Sequence, residues 1–347
     1  MVKGGYSEMK ILVTGSAGFI GGYLVEELLN HGYEVIGIDN LSKYGKTGKS
    51  YDSHPAYQFV EGDVKDTKLL KELIEDCDQA VAGAAMIGGI SLFHEYAYDL
   101  LAENERIIAS TFDAAIWAFK NRKLKKINVL SSSMVFESTT EFPTPEGEQL
   151  RCPPPLSTYG FQKLSCEYFA KGAWEQYKLP YTIIRPFNCI GIGEKRALCD
   201  KEILSGNIRL AMSHVVPDLC QKVLKGQDPL YVLGDGNQIR HYTYGGDLAE
   251  GIRLCIESEN AVNEDFNLSN PVSTTVLELA QLIWGKINGD KPFRYVSDPP
   301  FKYDVQKRIP SVEKAKRFFG FEAKTSLSDA LDAIIPWIKI QIEIGGI

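Results

Sequence analysis

Eight residues, Thr14-Gly15-Ser16-Ala17-Gly18-Phe19-Ile20-Gly21, constrain this chain more than any other stretch. They follow an apolar run, Ile11-Leu12-Val13, and open a pattern with Ile20, Tyr23, Leu24 and Leu28 on one helical face. The reading is strand, glycine turn, helix. Gly15 permits the sharp turn, Gly18 lets backbone approach a pyrophosphate, and Gly21 lets the helix lie close on the strand. The helix N-terminus offers free N–H groups and partial positive charge, so a diphosphate suits it. The next strand, Glu34–Ile38, ends at Asp39, 18 residues beyond Gly21. A carboxylate there accepts from a ribose 2′-hydroxyl and repels a 2′-phosphate, which favours NAD over NADP. Lys43 and Lys46 follow the acid without replacing it.

Strand-like runs alternate with helical ones through the first half. Tyr57–Val60, Gln79–Ala85, Ile127–Leu130 and Tyr181–Arg185 read as strands, with helical stretches near 66–76, 100–120 and 159–177. Such alternation predicts an α/β fold: a Rossmann-type, doubly wound parallel sheet with helices on both faces. Ligands of these sheets bind beyond the strands' carboxyl ends, where Asp39, Asp63, Ala84-Ala85 and Ser131–Ser133 stand. The second half reads as a smaller C-terminal substrate-binding lobe. Loops rich in Pro and Gly (142–155, 226–237, 287–303) separate its short elements, and Leu327–Ile342 reads as a closing helix. The expected division is a dinucleotide domain over 1–187, completed by about 231–260, and a lobe drawn mainly from 188–347.

Composition excludes several classes. A net charge of −7 disfavours nucleic-acid and anionic-membrane surfaces, so an anionic substrate needs local arginines. No apolar run reaches membrane-spanning length, and Met1–Tyr6 has no secretory core. Seven cysteines without CxxC spacing fit buried thiols in a reducing compartment, and the five histidines form no ligand pattern. The expectation is a cytoplasmic protein without a metal site.

Tyr159-Gly160-Phe161-Gln162-Lys163 matches YxxxK, which places phenol and ammonium on one helical face. Tyr6 to Lys10 and Tyr303 to Lys307 match it as well, so position must decide. Tyr159 follows Ser132 by 27 residues, and Ser132 lies just past a strand end. Taking a proton from a sugar hydroxyl requires a base poised near neutral pH, whereas a free tyrosine titrates near 10. The difference is worth about 4 kcal/mol, which a cation about 4 Å away supplies at an effective dielectric of about 20. Lys163 is that cation's candidate. Ser132 is the candidate to hold the substrate oxygen, with Ser131 and Ser133 as competitors.

Together these residues resemble the extended short-chain dehydrogenase/reductases that modify nucleotide-sugars, the NAD-dependent epimerase/dehydratase group. TGSAGFIG and Asp39-Asn40-Leu41-Ser42 resemble the family's cofactor end, and Gly62-Asp63-Val64 its adenine contact. The resemblance implies NAD contacts from Gly15, Ala17, Gly18, Phe19, Ile20 and Gly21, from Asp39, Asn40, Ser42, Asp63 and Val64, and from Ala84, Ala85, Asn104, Tyr159 and Lys163. Ser131–Phe136 resembles the SSxxVYG loop, which makes Ser132 catalytic with Tyr159 and Lys163. Arg185-Pro186-Phe187-Asn188 resembles RxFN, and Ser213-His214-Val215-Val216-Pro217 the segment folding over the nucleotide. Gly234–Arg240 resembles GDGxQxR, and Asp304–Arg308 the late DxxxR. Implied substrate contacts are Ser132, Ser133, Asn188, Val216, Arg240 and Arg308, the two arginines clamping a diphosphate.

Departures refine the reading. Ser133 and Met134 stand where the family's 4,6-dehydratases carry a carboxylate pair, so dehydration is disfavoured. The resemblance then implies an NAD-dependent epimerase of a nucleotide-sugar, UDP-linked first among candidates, inverting C4 through a transient 4-keto sugar. The alternatives are a 4,6-dehydratase or another keto-sugar-forming enzyme, and, in another class, a non-catalytic NAD-sensing protein. A homodimer through the 100–120 and 159–177 helices is implied too. Tyr244-Gly245-Gly246-Asp247 carries glycine in place of the usual valine, and the GT after the helix asparagine appears displaced, as Ser110-Thr111. Gly193–Met212 is unusually long and contains Lys195 and Arg196; it reads first as a surface excursion, with recognition of an acidic or modified sugar as the alternative.

Overall fold

The structure, a computed structural model, describes residues 9–87, 96–198, 202–211, 214–299 and 305–347, with backbone alone at 202, 203 and 211. Strand β1 (Lys10–Thr14) is followed by helix α1 (Phe19–Asn30), strands β2 (Glu34–Asp39) and β3 (Tyr57–Glu61), helix α2 (Thr67–Ile74) and strand β4 (Gln79–Ala82). The long helix Ala97–Asn121 leads to β5 (Lys126–Leu130), and helix Thr158–Tyr177 to β6 (Tyr181–Pro186). With strand Glu264–Leu268 these form a seven-stranded sheet, in the order Glu264–Leu268, β6, β5, β4, β1, β2, β3. Every pairing within it is parallel. The winding reverses between β1 and β4, which opens a crevice at their carboxyl ends.

Burial explains the parallel arrangement. In β1 Ile11, Leu12 and Val13 are all enclosed, as strands covered on both faces require. One face holds Leu12, Ile38, Ile127 and Ile183 against Phe112, Ala115 and Ala170 of the two long helices. The other holds Ile11, Val13, Val35 and Phe266 against Leu24 and Leu28 of α1 and Leu248 and Ile252 of helix Gly245–Glu257.

Three expectations need correction. Strand β4 ends at Ala82, not Ala85, because the N–H groups of Gly83 and Ala84 donate to Thr14 Oγ1 (3.0 and 3.1 Å) instead of to a neighbouring strand. The sheet is completed farther along than 231–260: helix Gly245–Glu257 covers it, but the added strand is Glu264–Leu268. The loops assigned to 226–237 and 287–303 each contain a strand, Leu230–Leu233 and Tyr295–Asp298, and these pair in parallel. Leu230 and Val232 point inward, into a lobe core with Leu219, Ile283, Leu331 and Ile334. Only four residues long each, these strands are hidden in sequence by their turn-rich flanks. Within 193–212, Glu202–Ser205 and Ile208–Ala211 form an antiparallel hairpin, turning at Gly206.

Candidate active site

A cleft of about 970 Å³ runs from the glycine turn, across the ends of β4 and β5, to the C-terminal lobe. At its first end Gly15 has φ +75, a conformation glycine adopts freely. A Cβ on Gly21 would lie 2.1 Å from the Gly15 carbonyl oxygen, so α1 can pack this tightly on the turn only without one. Helix α1 has no side-chain hydrogen bond at its N-cap and no acidic residue in its own first turn, so its dipole faces the cleft without a charge from the helix itself. Asp39 Oδ1 accepts from Leu41 N (2.8 Å) and Oδ2 from Ala17 N (3.1 Å). Burial raises the pKa of this carboxyl, while those N–H groups oppose the rise.

Gly15, Gly18, Phe19, Ile20, Gly21, Asp39, Asn40, Ser42, Asp63, Val64, Ala84 and Ala85 all line the cleft. Ala17 and Asn104 do not. The Ala17 amide is turned to Asp39, and Asn104, almost fully enclosed, brackets Met86 by accepting from its N–H (2.7 Å) and donating to its carbonyl (2.9 Å). Asn104 therefore braces the wall beside Ala84 and Ala85. The displaced Ser110 donates to the carbonyl of Val64 (2.6 Å), tying its helix to the β3 end.

Midway along, Ser132, Ser133, Tyr159 and Lys163 line one wall. Ser132 Oγ caps the 3-10 turn Ser133–Phe136 by accepting from Met134 N (3.2 Å). Its competitor Ser131 is committed elsewhere, donating to Glu167 Oε1 (2.7 Å). Tyr159 sits in the first turn of helix Thr158–Tyr177, capped by Ser157, and packs on Met134 and Leu100. Lys163, one turn on, donates to the Leu130 carbonyl (3.1 Å).

At the far end Asn188, Val216, Arg240 and Arg308 line the cleft. Asn188 is anchored through Nδ2 to the His241 carbonyl (3.1 Å). The arginines, 68 positions apart, meet because Ile239 N donates to Gln306 O (2.8 Å) and Arg308 N to Ile239 O (3.1 Å). Both bear electrostatically on the buried hydroxyl of Tyr242, whose pKa burial drives upward. Of the segments aligned by resemblance, Gly88, Gly89, Ser213 and Asp304 lie outside the described residues.

A glycine turn, a Ser-Tyr-Lys wall and a paired-arginine end therefore share one cleft. The sequence pattern of the NAD dependent epimerase/dehydratase family matches residues 11–269. The chain belongs to that family.

Its relatives in this family catalyse more than one reaction. It is 28% identical to UDP-glucuronic acid decarboxylase 1 of Arabidopsis thaliana over 345 residues, covering 97% of this chain and 72% of that protein. Among solved structures it resembles the UDP-glucose 4-epimerase of Thermotoga maritima, with UDP-glucose, at a TM-score of 0.80 and 28% identity, covering 96% of this chain and 100% of that one. The UDP-glucuronic acid 4-epimerase of Bacillus cereus, with UDP-glucuronic acid and NAD, gives 0.79 and 26%, covering 96% and 99%.

Against the family's patterns, three features emerge only in three dimensions. A Cβ on Gly245 would meet the Tyr23 ring at 2.5 Å, which explains the glycine where valine is usual. Tyr23 wedges between Gly191 and Gly245, edge-on to Phe19 and Tyr244, and accepts from Ile192 N (2.8 Å), so α1 is locked to the chain beyond Asn188. Behind the Ser-Tyr-Lys wall, Arg185 is fully enclosed and bonds Glu167 through Nε and Nη2, both at 2.7 Å, and Asp265 through Nη2 at 2.7 Å. Glu167 lies four residues past Lys163 on the same helix, the one sequence signal that could have found it. Finally, Glu137 takes the position of the glycine in SSxxVYG and lines the cleft.

Of the basic residues noted within 193–212, neither Lys195 nor Arg196 lines the cleft. Leu198 N donates to Lys43 O (2.8 Å), and Lys195 lies near enough to Lys49 to add to the lowering of its pKa by burial, both beside the Asp39 end. Among the described residues no group of three or more His, Cys, Asp or Glu could hold a metal ion, and no described helix is long and apolar enough to cross a membrane.

Proposed function

We propose that the protein is an NAD-dependent nucleotide-sugar 4-epimerase acting on a UDP-sugar. The observation that carries this reading is the shared wall of Ser132, Tyr159 and Lys163, between the glycine turn and the Arg240–Arg308 pair. The turn at Gly15, Gly18 and Gly21, with Asp39 beyond it, suits the diphosphate and adenosine ribose of NAD, since backbone approaches there without intervening Cβ atoms. Bound there, NAD supplies reversible oxidation at the sugar carbon. The chain's residues supply the rest. Tyr159 takes the C4-hydroxyl proton and returns it, Ser132 holds the same oxygen, and Lys163 steadies the ionised phenol. Arg240 and Arg308 hold the substrate diphosphate with fork-shaped donors, on a protein whose net charge is −7.

Met134 supports epimerisation over dehydration, being buried against Tyr159 where a carboxylate acid/base would be needed. The same reading includes a homodimer through helices Ala97–Asn121 and Thr158–Tyr177, the latter exposing Phe161 and Tyr168. The test is incubation with UDP-, dTDP-, GDP- and CDP-sugars without added coenzyme, read by NMR. A C4 stereoisomer is expected from a UDP-sugar, and Tyr159→Phe should lower its rate by at least about 100-fold while NAD content is kept. Net NADH with a stable keto product, or no change across the panel, overturns the proposal.

A further inference from the structure

Charge is distributed unevenly along the cleft. Arg240 and Arg308 line the far end with Lys222, which is ion-paired to Asp218 (3.0 Å), and Asp298; at the cofactor end Lys43, Lys65 and Arg106 stand among the acids Asp39, Asp63, Asp99 and Glu103. Around the Ser132–Tyr159 wall the charged residues, among those described, are Lys163 and Glu137. Lys163 is directed to the Leu130 carbonyl. Glu137 is half-buried, and its partners are neutral: Oε2 accepts from Ser157 N (3.0 Å) and Ser157 Oγ (2.8 Å). Oε1 accepts no bond from the described residues. The carboxylate abuts the catalytic turn, since a Cβ on Gly160, the residue after Tyr159, would lie 2.9 Å from Oε2.

We propose that Glu137 is a specificity-determining residue that makes the sugar end of the cleft negative. An uncompensated carboxylate beside the reacting sugar repels a second carboxylate and accepts from hydroxyl or ammonium groups. The substrate is then a nucleotide-sugar with a neutral or amino-substituted hexose, and sugars bearing a carboxylate are rejected. This rests on the nucleotide-sugar reading above and deepens it. Selection against the wrong charge needs no new contact with the right sugar.

The experiment compares UDP-glucose, UDP-N-acetylglucosamine and UDP-glucuronic acid in wild-type, Glu137→Gln and Glu137→Asp proteins. Binding is measured by calorimetry, with UDP alone as reference, and turnover by NMR. Wild-type protein should bind a neutral UDP-sugar at least about tenfold more tightly than UDP-glucuronic acid, and Glu137→Gln should shrink that ratio about tenfold. Glu137→Asp, which keeps the charge, should retain the discrimination. Equal affinity for neutral and acidic sugars in wild type overturns the inference. So does a Glu137→Gln effect of the same size on all three ligands, the signature of a carboxylate that merely braces Ser157. Because the ratio is read in binding, loss of all turnover with the ratio intact counts against epimerisation and not against the role of Glu137.

Discussion

Replacing Arg185 by methionine should destabilise the fold more than any change on the cleft surface. Arg185 and Glu167 are each 0% exposed, and the guanidinium is also bonded to Asp265, itself 21% exposed. Without the arginine, Glu167 keeps only two neutral donors, Ser131 Oγ (2.7 Å) and Gln149 Nε2 (3.2 Å), for a charge excluded from water. Breaking a buried pair this way costs about 3–5 kcal/mol. Glu167→Met should cost less, because Arg185 retains Asp265 and the face of Phe136. The double variant should fall short of additivity by at least about 1 kcal/mol, since the second change removes a charge the first left unpaired.

Acid gives the expected dependence a sign. Burial disfavours the Asp265 carboxylate, but Arg185 and Lys314 outweigh it and hold the pKa well below the ordinary range. A depressed folded pKa contributes stability above the unfolded value, near 3.9, that is lost as pH falls through the folded one. The deficit of Arg185→Met should therefore begin to narrow as pH falls below about 5 and go on narrowing below about pH 3. Urea unfolding followed by circular dichroism, with the slope m checked for constancy, measures both. A loss under about 1 kcal/mol at pH 7, full additivity in the double variant, or a deficit indifferent to acid would refute the reasoning.

Gly245→Val should cost about 1–3 kcal/mol by driving a methyl into Tyr23, and Tyr23→Leu should recover part of it; thermal unfolding of the three variants decides. Lys126, enclosed and donating to Cys255 O (2.8 Å) and Ile256 O (3.2 Å), has its pKa lowered by burial from 10.5 to about 8. Its folded state releases the proton first, so its own contribution to stability should rise with pH from about 8 toward 10, opposite in sign to the fall from thiols such as Cys77 and Cys255 whose pKa burial raises. The stability of wild type minus that of Lys126→Met should therefore increase across this range; a difference that does not change with pH contradicts it. Asp39→Ala should weaken NAD binding and move the NAD:NADP affinity ratio toward NADP by about tenfold in calorimetry; an unmoved ratio contradicts the 2′-hydroxyl role of Asp39.

Features written in adjacent residues were legible before any fold was known. The glycine turn, its strand and α1, the Asp39 strand end and the Tyr159–Lys163 helix depend on local backbone conformation and period, so a short window states them. Ser132 could be set above Ser131 only by resemblance, and its geometry emerges from a hydroxyl commitment to Glu167, 36 residues from Ser131. The paired strands Leu230–Leu233 and Tyr295–Asp298 escape a sequence reading because each is stabilised by the other, more than 60 residues away. Gly245 looks like a fault until Tyr23 fills the space of its missing side chain.

Sequence alone thus determined that a dinucleotide-type turn, a Tyr-Lys helix and two distant arginines exist. Tertiary structure decided that they face one cleft, that Ala17 and Asn104 support its walls without lining it, and that Glu137 enters it. The physical reason is range: conformational preference acts over a few residues, whereas burial, charge pairing and steric fit act between whichever residues the sheet brings together.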